Sequence, residues 1–211
     1  MLSYPQWSAG RALNRDSKVG QLTNKSMRKL IAAMNMTLDG YCDHTAMIAD
    51  DEVHQHYNDL LSGAGVLVYG RKTYQLMESY WPTVVEKPTG NKPIDEFAVL
   101  IDDISKIVYS RTLKSITWKN SELKHEIDIT EISQLKQQPG NDILVGSPSL
   151  IVAFMNLGLI DEFQICVQPT IVGEGLSLLK NIDDRIDLHL LKTKTLNGTG
   201  SVVLYYEPAG K

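Results

Sequence analysis

Cysteine is scarce in this sequence of 211 residues: only Cys42 and Cys166 occur. They lie far apart, with no Cys-x-x-Cys pair and no Cys/His cluster at metal spacing, which excludes a disulfide framework and a zinc site as organising elements. A reducing cytoplasm fits that usage. No apolar run approaches the roughly 18 residues needed to cross a bilayer, and the first residues lack the apolar core of a secretory signal. No basic run reaches five residues. With 21 Lys and Arg against 25 Asp and Glu, and a net charge of -4, the chain offers nucleic acid no electrostatic footprint. Gly-x-Gly-x-x-Gly is missing, which argues against a Rossmann dinucleotide site. Internal repeats and low-complexity segments are also absent.

What is present is enough apolar material for one full core. Hydrophobic residues make up 43% of the chain, and at this length one catalytic domain is expected. Residues 1–26 show no sustained period, and Met27 stands directly before the first strong strand pattern, so 1–26 is read as an N-terminal extension and 27–211 as the domain. Short buried runs at 28–34 (RKLIAAM), 65–69 (GVLVY), 106–109 (KIVY) and 142–145 (DILV) predict strands. Residues 50–61, 71–77, 129–137 and 148–157 predict helices, the second stopping before Trp81-Pro82. The stretch 116–127 is compatible with a strand or a loop. Three further strands, 162–172, 188–195 and 201–206, follow with turn signals at Gly173/Gly175 and Asn197-Gly198. Strand–helix alternation followed by three strands without helices implies an α/β fold. Its sheet would be mostly parallel, with antiparallel strands at the C-terminal end.

Three strand ends carry ligand-binding chemistry. In GVLVYGRKTYQLM, Gly70 closes a strand and Arg71, Lys72 and Thr73 open a helix, so backbone N–H groups, a hydroxyl and two cations converge at a positive helix end. The planar fork of Arg suits a phosphate monoester. In DILVGSPSLI, Gly146 ends a strand while Ser147, Pro148, Ser149 and Leu150 begin a helix. This is good helix-start chemistry in itself, and the glycine also lets a pyrophosphate approach the backbone. The third end is Tyr109-Ser110-Arg111-Thr112. Because α/β sheets bind ligands at the carboxyl ends of parallel strands, three such ends point to one extended nucleotide.

The runs NMTLDGYCDH, VLVYGRKTYQLM with YWP after it, VYSRTL, ILVGSPSLIVAFMNLGLIDEF, QPTIVGEGLSLL and VVLYYEP occur in this order. Together they resemble the dihydrofolate-reductase-like superfamily, above all the branch containing the C-terminal reductase domain of the bifunctional riboflavin-biosynthesis deaminase-reductase. The resemblance covers residues 27–208. It implies a central mixed sheet flanked by helices, NADPH as hydride donor and a homodimer. By matching motif positions it assigns Arg71 to the adenosine 2′-phosphate, Thr73 and residues 146–150 to the pyrophosphate, and Ser110, Arg111 and Thr112 to the adenosine side. It places Asp39, in TLDG, near the nicotinamide and substrate. The chain contains no cytidine-deaminase domain or zinc motif. The expectation is therefore a stand-alone NADPH-dependent reductase of a small heterocycle, similar to 5-amino-6-(5-phosphoribosylamino)uracil reductase of riboflavin biosynthesis. Dihydrofolate reductase and a non-catalytic NADPH-binding or sensing module are the alternatives.

Reduction also needs a proton, which the cofactor does not supply. In dihydrofolate reductases one carboxylate on the first helix helps protonate the pterin. Here that helix begins Asp50-Asp51-Glu52-Val53-His54, and no single equivalent stands out. Asp50 and His54 share the face bordering Val53 and Tyr57, and the acids also complement the helix dipole. The candidate catalytic residues are thus Asp39, Asp50 and His54. His56, His125 and His189 read as ordinary surface or strand histidines. Trp81 either covers the cleft or packs in the core or a subunit contact. Asp161, Glu162, Pro169, Gly173 and Gly175 are assigned to architecture.

Overall fold

Alternate residues of the central strands are buried on opposite faces of one sheet, as a period of two requires. The structure is a computed structural model that describes residues 27–210; the expected extension at 1–26 lies outside the described residues. The strands are β1 (Leu30–Thr37), β2 (Ala64–Gly70), β3 (Ser105–Tyr109), β4 (Ser121–Lys124), β5 (Asp142–Val145), β6 (Glu162–Gln168), β7 (Leu188–Leu196) and β8 (Ser201–Pro208). The helices are α1 (Asp51–Ser62), α2 (Arg71–Glu78), α3 (Trp81–Glu86), α4 (Lys92–Asp103), α5 (Ile129–Gln137) and α6 (Pro148–Asn156), with a 3₁₀ turn at His44–Ala46. Among the described residues the sheet has eight strands in the order β4-β3-β2-β5-β1-β6-β8-β7. Pairing is parallel from β4 through β6, and β8 runs antiparallel to both β6 and β7.

Leu30, Ala32, Val66, Val68, Ile143 and Val145 face one side, where Ile132 of α5 and Ile151 and Phe154 of α6 cover them. Ile31, Leu67, Tyr69, Val108 and Leu144 face the other, covered by Leu61 of α1, Tyr74 of α2 and Ile101 of α4. At ~25 cal/mol per Å² of apolar area removed from water, these two layers are the main driving force of the fold. Adjacent strands β2 and β5 therefore send their helices, α2 and α6, to opposite faces. That arrangement opens a crevice at their carboxyl ends, where α/β sheets hold ligands.

The structure corrects several sequence expectations. The first strand begins at Leu30 and runs on to Thr37, because β6 pairs with all of residues 31–37 and carries the polar Asn35 along. The predicted strand 162–172 stops at Gln168, since Pro169 cannot donate to a ladder. Two helices were not anticipated. Pro82 and Pro93 lie in the first turns of α3 and α4, where proline starts a helix rather than ending one. The ambiguous 116–127 stretch contains β4, which pairs with β3. In the C-terminal group β8 inserts between β6 and β7. His56 is no surface residue: it is 4% exposed, and burial, together with the charges of Lys194 and Lys192, lowers its pKa to about 4. No helix among the described residues is long and apolar enough to cross a membrane.

Candidate active site

The three predicted strand ends are neighbours, since β3, β2 and β5 are adjacent in the sheet and Gly70 pairs with Tyr109. Gly70 N–H donates to Ser147 Oγ at 2.9 Å, stitching the start of α2 to the start of α6 across the crevice. Ser147 spends its hydroxyl there and makes no side-chain cap on its own helix; α2 has no side-chain cap either. By contrast, Asp50, Asn91 and Asp128 cap α1, α4 and α5. The six-residue α3 also starts without a side-chain cap, but the N-termini of α2 and α6 lie together at the crevice, where they present backbone donors and positive dipole ends, which is what a phosphate needs. Gly146 packs closely on Tyr69: a Cβ there would lie 3.2 Å from a ring carbon, so the ring would have to shift to accept one.

Two cavities flank this junction. One, of about 470 Å³, is lined by Tyr109, Ser110, Arg111, His125, Ser149 and Leu150. Ser110 Oγ accepts from the N–H groups of Leu113 and Thr112 at 3.0 and 3.2 Å, which turns the chain back at the end of β3. The Tyr109 hydroxyl is buried without a hydrogen-bond partner, and burial pushes its pKa up to about 12. His125, read as ordinary from sequence, stands on this wall, its Nδ1 2.8 Å from the Ser110 carbonyl oxygen.

The other cavity, of about 290 Å³, lies beneath α1, α3 and α4 and reaches Gly146. Its aromatic wall comprises Tyr57, Tyr69, Trp81 and Phe97; the Trp81 and Phe97 ring centroids are 4.5 Å apart. Trp81 therefore lines the cleft. His54 also lines it. Its Nδ1 lies 2.9 Å from the Asp50 carbonyl oxygen and the ring is edge-on to Phe97. With Nδ1–H donated to that carbonyl, Nε2 is the nitrogen left for chemistry.

The remaining predicted residues are placed as follows. Asp50 caps α1 through Val53 N–H at 2.8 Å. Glu52 accepts from Gly198 N–H at 2.7 Å, and a Cβ on Gly198 would collide with the Asp50 carboxylate, so a larger residue in this turn would push that side chain off its place. The acidic cluster thus serves the helix start and the β7–β8 turn. Arg71 and Lys72 are exposed at the first turn of α2, with Arg71 Nη1 3.3 Å from Gln75 Oε1. Thr73 is partly buried beside them, and Arg111 and Thr112 are exposed. Asp161 accepts from Leu30 N–H at 2.9 Å, and Glu162 pairs with Lys29 at 2.8 Å, which fits their assignment to architecture. Sequence reasoning missed Asn35, Tyr57, Tyr69 and Phe97 as lining residues: Tyr57 and Tyr69 read as ordinary members of a helix face and a buried strand, while Asn35 and Phe97 fell beyond the predicted strand and in a helix that was not anticipated.

Asp39 lines neither cavity. Its carboxylate accepts from Thr37 Oγ1 at 2.6 Å and from the N–H groups of Val172 and Gly173 at 3.1 and 2.7 Å, latching the loop after β1 to the 170–175 loop. The Thr37 hydroxyl and these amides hold its pKa below the usual carboxylate value of 3.8. A depressed carboxylate stabilises the fold above its unfolded pKa and ceases to do so as pH falls through the folded one. Asp39→Asn is therefore expected to melt below the unmodified protein at pH 7, with the gap closing below about pH 3.8. Thermal melts of both proteins at pH 7 and pH 3 check this; a gap unchanged by pH counts against the latch.

Comparison with known proteins places this geometry in context. A profile of the RibD C-terminal domain matches residues 28–203. The uncharacterized protein YyaP of Bacillus subtilis (strain 168) is 32% identical over 187 residues, spanning 87% of this chain and 97% of YyaP. Among solved structures, a putative riboflavin biosynthesis protein from Shewanella sp. PV-4 superposes with a TM-score of 0.65 at 17% identity, covering 85% of this chain and 98% of that one. Dihydrofolate reductase from Enterococcus faecalis, complexed with NADP(H) and RAB-propyl, superposes with a TM-score of 0.56 at 13% identity, covering 86% and 96%.

Proposed function

The chain belongs to the RibD C-terminal domain family, and on that premise we propose that it is an NADPH-dependent reductase of a small heterocyclic substrate, of the same reaction class as 5-amino-6-(5-phosphoribosylamino)uracil reduction. The observation that carries this reading is the pair of uncapped helix N-termini stitched by Gly70 and Ser147 between two cavities. The residues fit a dinucleotide. Thr73 and residues 146–150 would hold the pyrophosphate and Arg71 the 2′-phosphate. Ser110, Arg111 and Thr112 would hold the adenosine side, where the buried Tyr109 hydroxyl lacks a partner. Such a cofactor, when bound, supplies a hydride to carbon. The chain must then hold a proton for the heteroatom and keep water away. His54 Nε2 would serve the first task, and Trp81 and Phe97, on the same cavity wall, the second. The first-helix carboxylates lie outside the cavity lining, which disfavours dihydrofolate as substrate.

Replacing Arg71 by Ala is expected to weaken NADPH binding roughly 30-fold, about 2 kcal/mol, and NADH binding little, because only NADPH brings a 2′-phosphate to the guanidinium fork. Titration of both cofactors checks it; equal affinity for NADPH and NADH in the unmodified protein would sink the assignment. We place the enzyme in the cytoplasm, where Cys42 and Cys166 persist as buried free thiols. A homodimer belongs to the same reading. Edge strand β7 leaves Leu190 55% and Leu191 44% exposed, an open ladder and apolar surface that a second copy would cover. Sedimentation at micromolar concentration should give twice the chain mass, and a monomer would refute it.

A further inference from the structure

Resting on the reductase reading above, we propose that the substrate of the 290 Å³ cavity is a small, uncharged, flat conjugated compound of one or two rings, and neither a phosphorylated nor a glutamylated one. The size follows from the volume, which lies at the lower edge of the ~300–1,000 Å³ typical of small-molecule sites.

The charge follows from the lining. Among the described residues no Lys, Arg, Asp or Glu lines the cavity. A phosphate or carboxylate taken from water into such surroundings without a cation costs several kcal/mol, and sites built for these groups supply an Arg fork, a Lys or a free helix N-terminus. α3 opens at Trp81 on this wall but loses a backbone donor to Pro82 in its first turn, and the α6 start beside Gly146 is taken by the pyrophosphate in the reading above. The start of α1, whose Val53 and His54 line the wall, repels anions. Asp50 already occupies its cap, and Asp51 and Glu52 stand in its first turn. His44, which does line the cavity, has its ring nitrogen 3.6 Å from the Asp43 carboxylate, a further acid that an anion at this wall would meet. Burial raises the Tyr57 phenol well above its ordinary range, which keeps that wall neutral.

The flatness follows from the aromatic pair. Trp81 and Phe97, with centroids 4.5 Å apart, and the edge-on His54 ring offer faces and edges that planar π systems match. The polar side chains that can orient a substrate are neutral and few: the Asn35 amide, His54 Nε2 and the phenols of Tyr57 and Tyr69.

The test is calorimetric and uses the unmodified full chain. Quinoxaline, a neutral two-ring aromatic imine, and 5-amino-6-(5-phosphoribosylamino)uracil are titrated separately, with and without saturating NADP⁺. Quinoxaline is expected to bind at least 10-fold more tightly than the phosphorylated compound. It should also quench the fluorescence of the unmodified protein, with the quench lost in Trp81→Phe, which keeps the aromatic wall. Tighter or equal binding of the phosphorylated compound overturns the proposal, as does the failure of quinoxaline to bind or to quench. A separate NADPH titration tells the two readings apart. Quinoxaline binding without NADPH binding would remove the cofactor assignment and leave the substrate class standing; NADPH binding without quinoxaline binding would do the reverse.

Discussion

Replacing His54 by Gln is expected to lower kcat about 10²-fold, equivalent to about 2.7 kcal/mol of barrier, while leaving NADPH affinity within about twofold. Its ring lies on the wall of the apolar cavity, and the Asp50 carbonyl oxygen 2.9 Å from Nδ1 fixes the ring and its tautomer. That leaves Nε2 as the nitrogen that can carry a proton to a substrate heteroatom. Glutamine keeps a polar group of similar reach but cannot deliver a proton, so the loss should appear in turnover rather than in cofactor binding. A solvent deuterium effect on kcat present in the unmodified protein should weaken in the variant. Steady-state NADPH oxidation with the best substrate of a panel of imines and carbonyls decides it: full kcat in His54→Gln removes His54 from the chemistry. Asp50→Asn separates the cap from the acid, since asparagine caps helices nearly as well as aspartate.

Acid is expected to destabilise the protein through His56. This imidazole is buried, and its pKa is lowered from 6.5 to about 4, first by desolvation and then by Lys194 and Lys192 across from it on β7. Between those two values the unfolded chain binds a proton that the folded chain refuses, so stability rises with pH in this window. The full contribution is present above about pH 6.5 and is lost progressively towards pH 4, where the loss is on the order of 3 kcal/mol. For a chain of this size that corresponds to several degrees in melting temperature. His56→Gln removes the titrating group, so its melting temperature should fall less than that of the unmodified protein between pH 7 and pH 4.5. Identical pH dependence in both proteins would show that His56 does not titrate in this window.

The two histidines show why the candidate site was only partly legible. His54 and His56 are two residues apart on one helix, and at 100° per residue they point to different sides. His54 meets the cavity and His56 the packing against the C-terminal strands, a distinction that depends on what α1 lies against. The same applies to Asp39. The turn around it was readable from Asp39-Gly40, but the amides that hold its carboxylate belong to Val172 and Gly173, 133 and 134 residues further on.

What the sequence by itself determined is local and periodic. Short apolar runs at 28–34, 65–69, 106–109 and 142–145, the Gly and Ser that end strands and begin helices, and the order of the motifs were enough for the α/β class, a mostly parallel sheet and three strand ends to which a nucleotide could be assigned. Each of these signals is written within a few residues, because side-chain period and turn chemistry are properties of short segments. Only the tertiary structure decided that those ends lie on adjacent strands, since sheet order is a matter of which crossover packs where. It also decided that Ser147 bonds Gly70 instead of capping its own helix. The apolar cavity is tertiary throughout. Trp81 and Phe97 sit on helices whose starts carry proline, and Tyr69 looks like any residue of a buried strand. No segment alone encodes a wall whose members become neighbours only when three helices close over one sheet face.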